Sequence, residues 1–131
     1  MTPGQAREEM ALECTVERDP TAGIATFRPR GAISLWGMLE LREAMAAALR
    51  NGYARHLLDL SAVWHINAKS LGILAERRDR AREAGGRLVL VAPSAPVREL
   101  LTPAGAYATF VVAGTEAEGR ALLAPAGVAA G

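Results

Sequence analysis

The residues best equipped for chemistry lie in one stretch, Trp64-His65-Ile66-Asn67-Ala68-Lys69-Ser70-Leu71, where an imidazole, an amide, an ammonium and a hydroxyl fall close together. Lys69-Ser70 has the ending of a phosphate-binding loop, but the glycines of G-x-x-x-x-G-K-[ST] are replaced by Val63 and Ala68, so the backbone cradle for phosphate is missing. Free N–H groups at a helix start near Asn67 attract anions, a feature every helix shares. His56 and His65 are the only histidines, and neither has a nucleophile partner or a metal-ligand spacing. No G-x-S-x-G or G-x-G-x-x-G occurs. The expectation is a protein that is not an enzyme and has no cofactor or metal site. Ser70 reads as a helix-start hydroxyl satisfied by local backbone. His65 reads as a loop histidine beside a half-buried Trp64, with contact to a partner as the alternative.

The elements that must position this stretch follow from periodicity. Residues 12–18 alternate Leu12, Cys14 and Val16 against Glu13, Thr15 and Glu17, and residues 24–30 follow Asp19-Pro20-Thr21-Ala22-Gly23, which predicts a β-hairpin. Leu39, Leu41, Met45, Ala46 and Leu49 predict a helix over 39–50, stopped by Asn51-Gly52. The apolar runs 56–63 and 88–92 read as buried strands. Between them a helix over 70–84 carries Leu71, Leu74, Ala75, Arg78 and Ala81 on one face and ends at Gly85-Gly86. Strand, helix and strand in that order imply a parallel crossover, with the loop after the first strand at the sheet's carboxyl edge, where such sheets place ligands. A short helix over 96–101, a strand over 109–113 and a helix over 115–123 with the Thr115/Glu118 capping pattern complete the chain. The fold class expected is α/β: one domain over 12–123, a mixed sheet of four to five strands and about four helices, between flexible ends at 1–11 and 124–131.

Composition bounds the function. The 131 residues suit one domain, half of them hydrophobic but only 5% aromatic, so the core is built of Leu, Val, Ile and Ala. Fifteen basic against 14 acidic residues leave a formal charge of +1 and remove the electrostatic argument for nucleic acid. Arg77, Arg78, Arg80, Arg82 and Arg87 are interleaved with Glu76, Asp79 and Glu83, which reads as a solvated, salt-bridged face. The single cysteine, Cys14, supports neither a disulfide framework nor a Cys-rich metal site and points to a reducing compartment. The N-terminus has no signal-peptide pattern, and no apolar stretch approaches the ~20 residues that span a bilayer. A cytoplasmic protein without direct membrane insertion is expected.

The stretch Leu57-Leu58-Asp59-Leu60-Ser61-Ala62-Val63 through Leu74 resembles the central motif of STAS domains, the sulphate-transporter and anti-sigma-factor-antagonist family. Gly31, the Ala-Gly-Gly before LVLVA, PVRELL and TFVVAGTEAEGRALL fall in the family's order, so the resemblance covers about residues 12–123. The family's signature, Asp-Ser-Ser/Thr-Gly-Leu-Gly, aligns with Asn67, Ala68, Lys69, Ser70, Leu71 and Gly72. The first Ser of many members accepts phosphate from a partner kinase; Ala68 has no hydroxyl. Phosphorylation would add roughly −1.5 to −2 charge at that helix start, and alanine cannot acquire it. Asn67 can still cap the helix through its side-chain oxygen.

The resemblance implies a regulatory module that binds a protein partner, an anti-sigma factor of the histidine-kinase-like type, through Ser34, Leu35, Trp36, His65, Asn67, Ala68, Lys69, Ser70 and Leu71. Either the chain is a permanently unmodified antagonist or it belongs to a branch whose partners never used phosphorylation, which Lys69 favours. Trp36 reads equally as an interface anchor or as a core residue covering the sheet edge. The alternatives are an accessory subunit of a membrane lipid-transport ATPase and a small-ligand sensor binding a nucleotide or lipid. Homo-oligomerisation stays open.

Overall fold

A computed structural model describes residues 12–102 and 109–124. The expected flexible ends fall outside these residues except for Ala124. The chain runs β1 (Glu13–Asp19), β2 (Ile24–Ile33), α1 (Leu35–Arg50), β3 (Arg55–Asp59), β4 (Val63–Ile66), α2 (Ser70–Glu83), β5 (Arg87–Val91), α3 (Ala95–Leu101), β6 (Val111–Ala113) and α4 (Glu116–Leu123). The sheet order is β1-β2-β3-β5-β6, with β4 paired to β2 off that path. β1 is antiparallel to β2 and every other pair is parallel, giving the mixed α/β architecture.

The predicted hairpin is present. Asp19 closes it, its carbonyl accepting from Gly23 N and its Oδ1 from Ala22 N, while Gly23 takes the positive φ that the turn needs.

The apolar run 56–63, expected as one strand, is two. β3 ends at Asp59, whose Oδ1 accepts from Ser61 N at 2.9 Å, and Leu60 and Val63 close the turn through their backbones at 3.1 Å. The chain then re-enters as β4 beside the far end of β2. The step is hidden in the sequence because Leu60 and Val63 are buried on both sides of the turn and continue the apolar pattern past Asp59 and Ser61.

α1 begins at Leu35, four residues before the apolar periodicity starts, because Ser34 caps it: Ser34 Oγ accepts from Gly37 N at 3.1 Å. Its buried face is Gly37, Met38, Leu41, Met45 and Ala48, so Leu39, Ala46 and Leu49 flank the core. α2 is likewise rotated from expectation, burying Ser70, Leu74, Arg77 and Ala81 and leaving Leu71, Ala75 and Arg78 half-buried.

Two apolar layers sandwich the sheet. On one face Ala25, Phe27, Leu58, Leu88 and Leu90 pack under Met38, Leu41 and Met45 of α1, Leu74 and Ala81 of α2, and Val97 and Leu101 of α3. On the other, Ile24, Leu57, Val89, Val91 and Ala113 meet Leu123 of α4. α4 lies close enough that a Cβ on Gly119 would come 2.7 Å from Leu57 Cδ2 and 3.2 Å from Val91 Cγ2. Thr115 Oγ1 accepts from Glu118 N at 3.1 Å, as the capping pattern predicts, while the Glu118 carboxylate reaches Gly114 N at 3.0 Å, one residue before the cap.

Candidate functional site

The expected site residues gather where β2 and β4 end and α1 and α2 begin. The last residues of β2 pair with β4, and Asn67 N donates to Ile33 O at 2.9 Å, tying the loop after β4 to the strand that leads into Ser34. Residues 34–36 and 65–71, distant in sequence, are thereby joined by one ladder.

β4 carries an irregularity that decides what is displayed. Val63 pairs with Gly31 and His65 with Ala32, so Trp64 is an extra residue opposite a single step of β2. The bulge turns two successive side chains outward while Val63 and Ile66 stay buried. Trp64, expected half-buried, is 65% exposed, and His65 lies in a strand, not in a loop. Gly31, at φ +89°, leaves room beside the indole: a Cβ there would sit 4.0 Å from Trp64 Nε1. The Trp64 and His65 ring centroids are 6.2 Å apart. Trp36 is 61% exposed, so it does not cover the sheet edge as a core residue.

The loop into α2 is built by Asn67. Its Oδ1 accepts from Lys69 N at 2.9 Å and its carbonyl from Ser70 N at 2.9 Å, an Asx-turn ahead of a helix whose N-cap position is Lys69. The Asn67 side chain therefore serves an N–H just before the helix and not one inside its first turn. Ala68 and Lys69 point to solvent, and Leu71 is half-buried. Ser70 is 0% exposed, and its Oγ has no hydrogen-bond partner among the described residues. The hydroxyl is sealed beneath the loop, contrary to the expectation that local backbone satisfies it. Ser34 Oγ is committed to its cap.

Two polar groupings were not foreseen. Arg77, which the charge pattern places on a solvated face, is 8% exposed and directed inward, with an ion pair to Glu76 at 3.3 Å. Facing it is His56, whose Nε2 lies 2.8 Å from Tyr53 O and whose ring packs edge-on to Phe27. Burial first, then the Arg77 charge, push its pKa down to about 4. At the sheet's carboxyl edge on the α4 face, Arg28 holds Glu116 in a two-pronged bond at 2.9 and 2.8 Å and reaches Glu17 at 3.4 Å. Hydrogen bonding from Arg28 draws the Glu116 pKa down to about 2, whereas burial and then the neighbouring Glu116 raise that of Asp59. The alternation of β2, Ile24/Thr26/Arg28 against Ala25/Phe27, was the one sequence signal for Arg28 facing α4. Among the described residues no group of three metal-ligating side chains converges, and no helix is long and apolar enough to cross a membrane.

Solved structures share this architecture. An anti-sigma factor antagonist from Mycobacterium paratuberculosis superposes with a TM-score of 0.73 at 21% identity, over 86% of this chain and 94% of that one. The anti-sigma factor antagonist SpoIIAA in its unphosphorylated form gives a TM-score of 0.70 at 18% identity, over 81% and 92% of the two chains. The Bacillus cell fate determinant SpoIIAA in its phosphorylated form gives 0.64 at 16% identity, over 81% and 96%. At these identities the likeness establishes the fold. The STAS domain itself is matched over residues 15–119, most of the chain's length, and the chain belongs to the STAS domain family.

Proposed function

We propose that this chain is a cytoplasmic, non-catalytic regulatory module resembling an anti-sigma factor antagonist, which docks a histidine-kinase-like anti-sigma factor and is not switched by phosphorylation at the position of Ala68. The observation that carries this reading is the display of Trp36 at the start of α1 and of Trp64, His65, Ala68 and Lys69 from the end of β4 to the start of α2, two segments tied by the Asn67–Ile33 backbone bond, with both indoles mostly in solvent. Exposed aromatics on a rigid strand and helix start are what an interface anchor requires. Segments 31–39 and 60–72 contain Lys69 and His65 and not one carboxylate, so the partner's complementary face is acidic. Two observations support the absence of the switch: Ala68 is exposed without a hydroxyl, and the neighbouring Ser70 hydroxyl is inaccessible. Solved relatives described in unphosphorylated and phosphorylated forms favour this reading over a lipid-transport or ligand-sensing role.

The test is capture of the partner from native lysate, followed by incubation with it and ATP. The native chain stays unmodified and bound, whereas Ala68→Ser gains phosphate and is released. Phosphate mapped to the native chain at Ser70 would contradict the reading, and recovery of a transporter ATPase in place of a kinase would replace it.

A further inference from the structure

The end of the sheet opposite the docking surface is where two parallel strands begin on arginine. β3 opens with Arg55 and β5 with Arg87, and the two are register partners. Neighbouring strands lie about 4.8 Å apart, and aligned residues share a face. That face is α4's, since Leu57 and Val89, two residues further along each strand, pack beneath that helix. Two like charges on one face of neighbouring strands disfavour each other, and an anion bound by both would relieve that repulsion.

Among the described residues neither arginine is neutralised. Arg55 Nη1 donates to Ala22 O at 2.7 Å and Arg87 Nη1 to Leu122 O at 3.4 Å, and among the described residues neither forms an ion pair. The carboxylate beside them, Asp19, is taken by Arg120 at 2.6 Å. The carbonyl ends of α2 and α4 oppose an anion here, but a guanidinium has five N–H donors, and a single bond to a carbonyl leaves most of each fork free. Arg55 and Arg87 line one groove of about 430 Å³ with Gly85, Gly86, Leu122 and Leu123. Arg55 also lines an adjoining groove of about 320 Å³ that reaches Arg120. No described Asp or Glu lines either. These volumes lie in the range of small-ligand sites.

We infer that Arg55 and Arg87 form a second binding site, which takes a phosphate group carried by a ligand through their planar forks. The site stands apart from the docking surface, so ligand and protein partner bind together.

The experiment follows backbone amide shifts of the full chain while pyrophosphate is added at constant ionic strength, with vesicles of phosphatidic acid and of phosphatidylcholine as parallel arms. The expected result is saturable shifts at Gly23, Arg55, Gly85 and Arg87. Arg87→Gln, on an exposed side chain, weakens binding about tenfold through loss of a charged hydrogen bond, while Arg42→Gln on α1 leaves it unchanged. Arg87-dependent binding seen with phosphatidic acid vesicles alone assigns the phosphate to a lipid headgroup. Shifts confined to residues 67–71, equal affinity for Arg87→Gln, or no binding in any arm overturns the site.

Discussion

His56 shows how far one buried side chain can set the pH response of the whole chain. Its imidazole is buried edge-on against Phe27 with the Arg77 charge nearby, and burial holds its pKa at about 4 against an ordinary 6.5. Across that interval the unfolded chain takes up a proton that the folded chain refuses. Stability from this group is therefore complete above about pH 6.5 and is lost as the pH falls towards 4. Glu116 acts lower: its pKa is depressed from 4.5 to about 2, so its pairing with Arg28 persists until the pH falls below the ordinary carboxylate range. The urea midpoint is predicted to decline through the histidine interval first, with the His56 ring resonance unchanged until about pH 4. A His56 resonance that titrates near pH 6.5 would show that the ring is solvated and remove this account.

At the scale of elements, α4 depends on one missing side chain. Gly119 lets the helix rest on Leu57 and Val91, and Gly119→Ala places a methyl 2.7 Å from Leu57 Cδ2. The layer on that face rests on Leu123, so there is little packing to absorb the shift. A loss of about 1–3 kcal/mol in chemical denaturation is predicted, and an unchanged midpoint would mean that α4 is free to lift. Nothing in the sequence marked Gly119 for this, because an interior helix glycine reads as a weak point until the helix it sits in is known to touch the sheet. The order of strands and helices was legible, since alternation and helical spacing follow directly from burial. Two of the missed features share one cause, contacts between segments far apart in sequence: the Trp64 bulge against Gly31 and Arg77 turned inward beside His56 both depend on a neighbouring strand or side chain. The Asp59 turn is local, but the buried Leu60 and Val63 around it continue the apolar pattern. The Ser34 cap is local, but it lies ahead of any apolar periodicity.

On the scale of the whole molecule, the sheet separates two kinds of surface. Segments 31–39 and 60–72 at its β2/β4 end present indoles and Lys69 and hold no carboxylate of their own, while the strand-starting end presents Arg55 and Arg87. Trp36 is among the docking residues the sequence points to, whereas Trp64 reads there as half-buried; both indoles are more than 60% exposed, at 61% and 65%. Burying two indoles against a partner makes them the dominant contacts, worth ~2 kcal/mol or more each. The most direct measurement is the affinity of the native chain and of Trp36→Ala, Trp64→Ala and Lys69→Glu for the captured kinase-like anti-sigma factor, with and without ATP. The account predicts that each Trp substitution weakens binding by about 30-fold, that Lys69→Glu weakens it while leaving the fold intact, and that ATP leaves the native affinity unchanged. Affinity indifferent to both tryptophans, or lost on incubation with ATP, would contradict it.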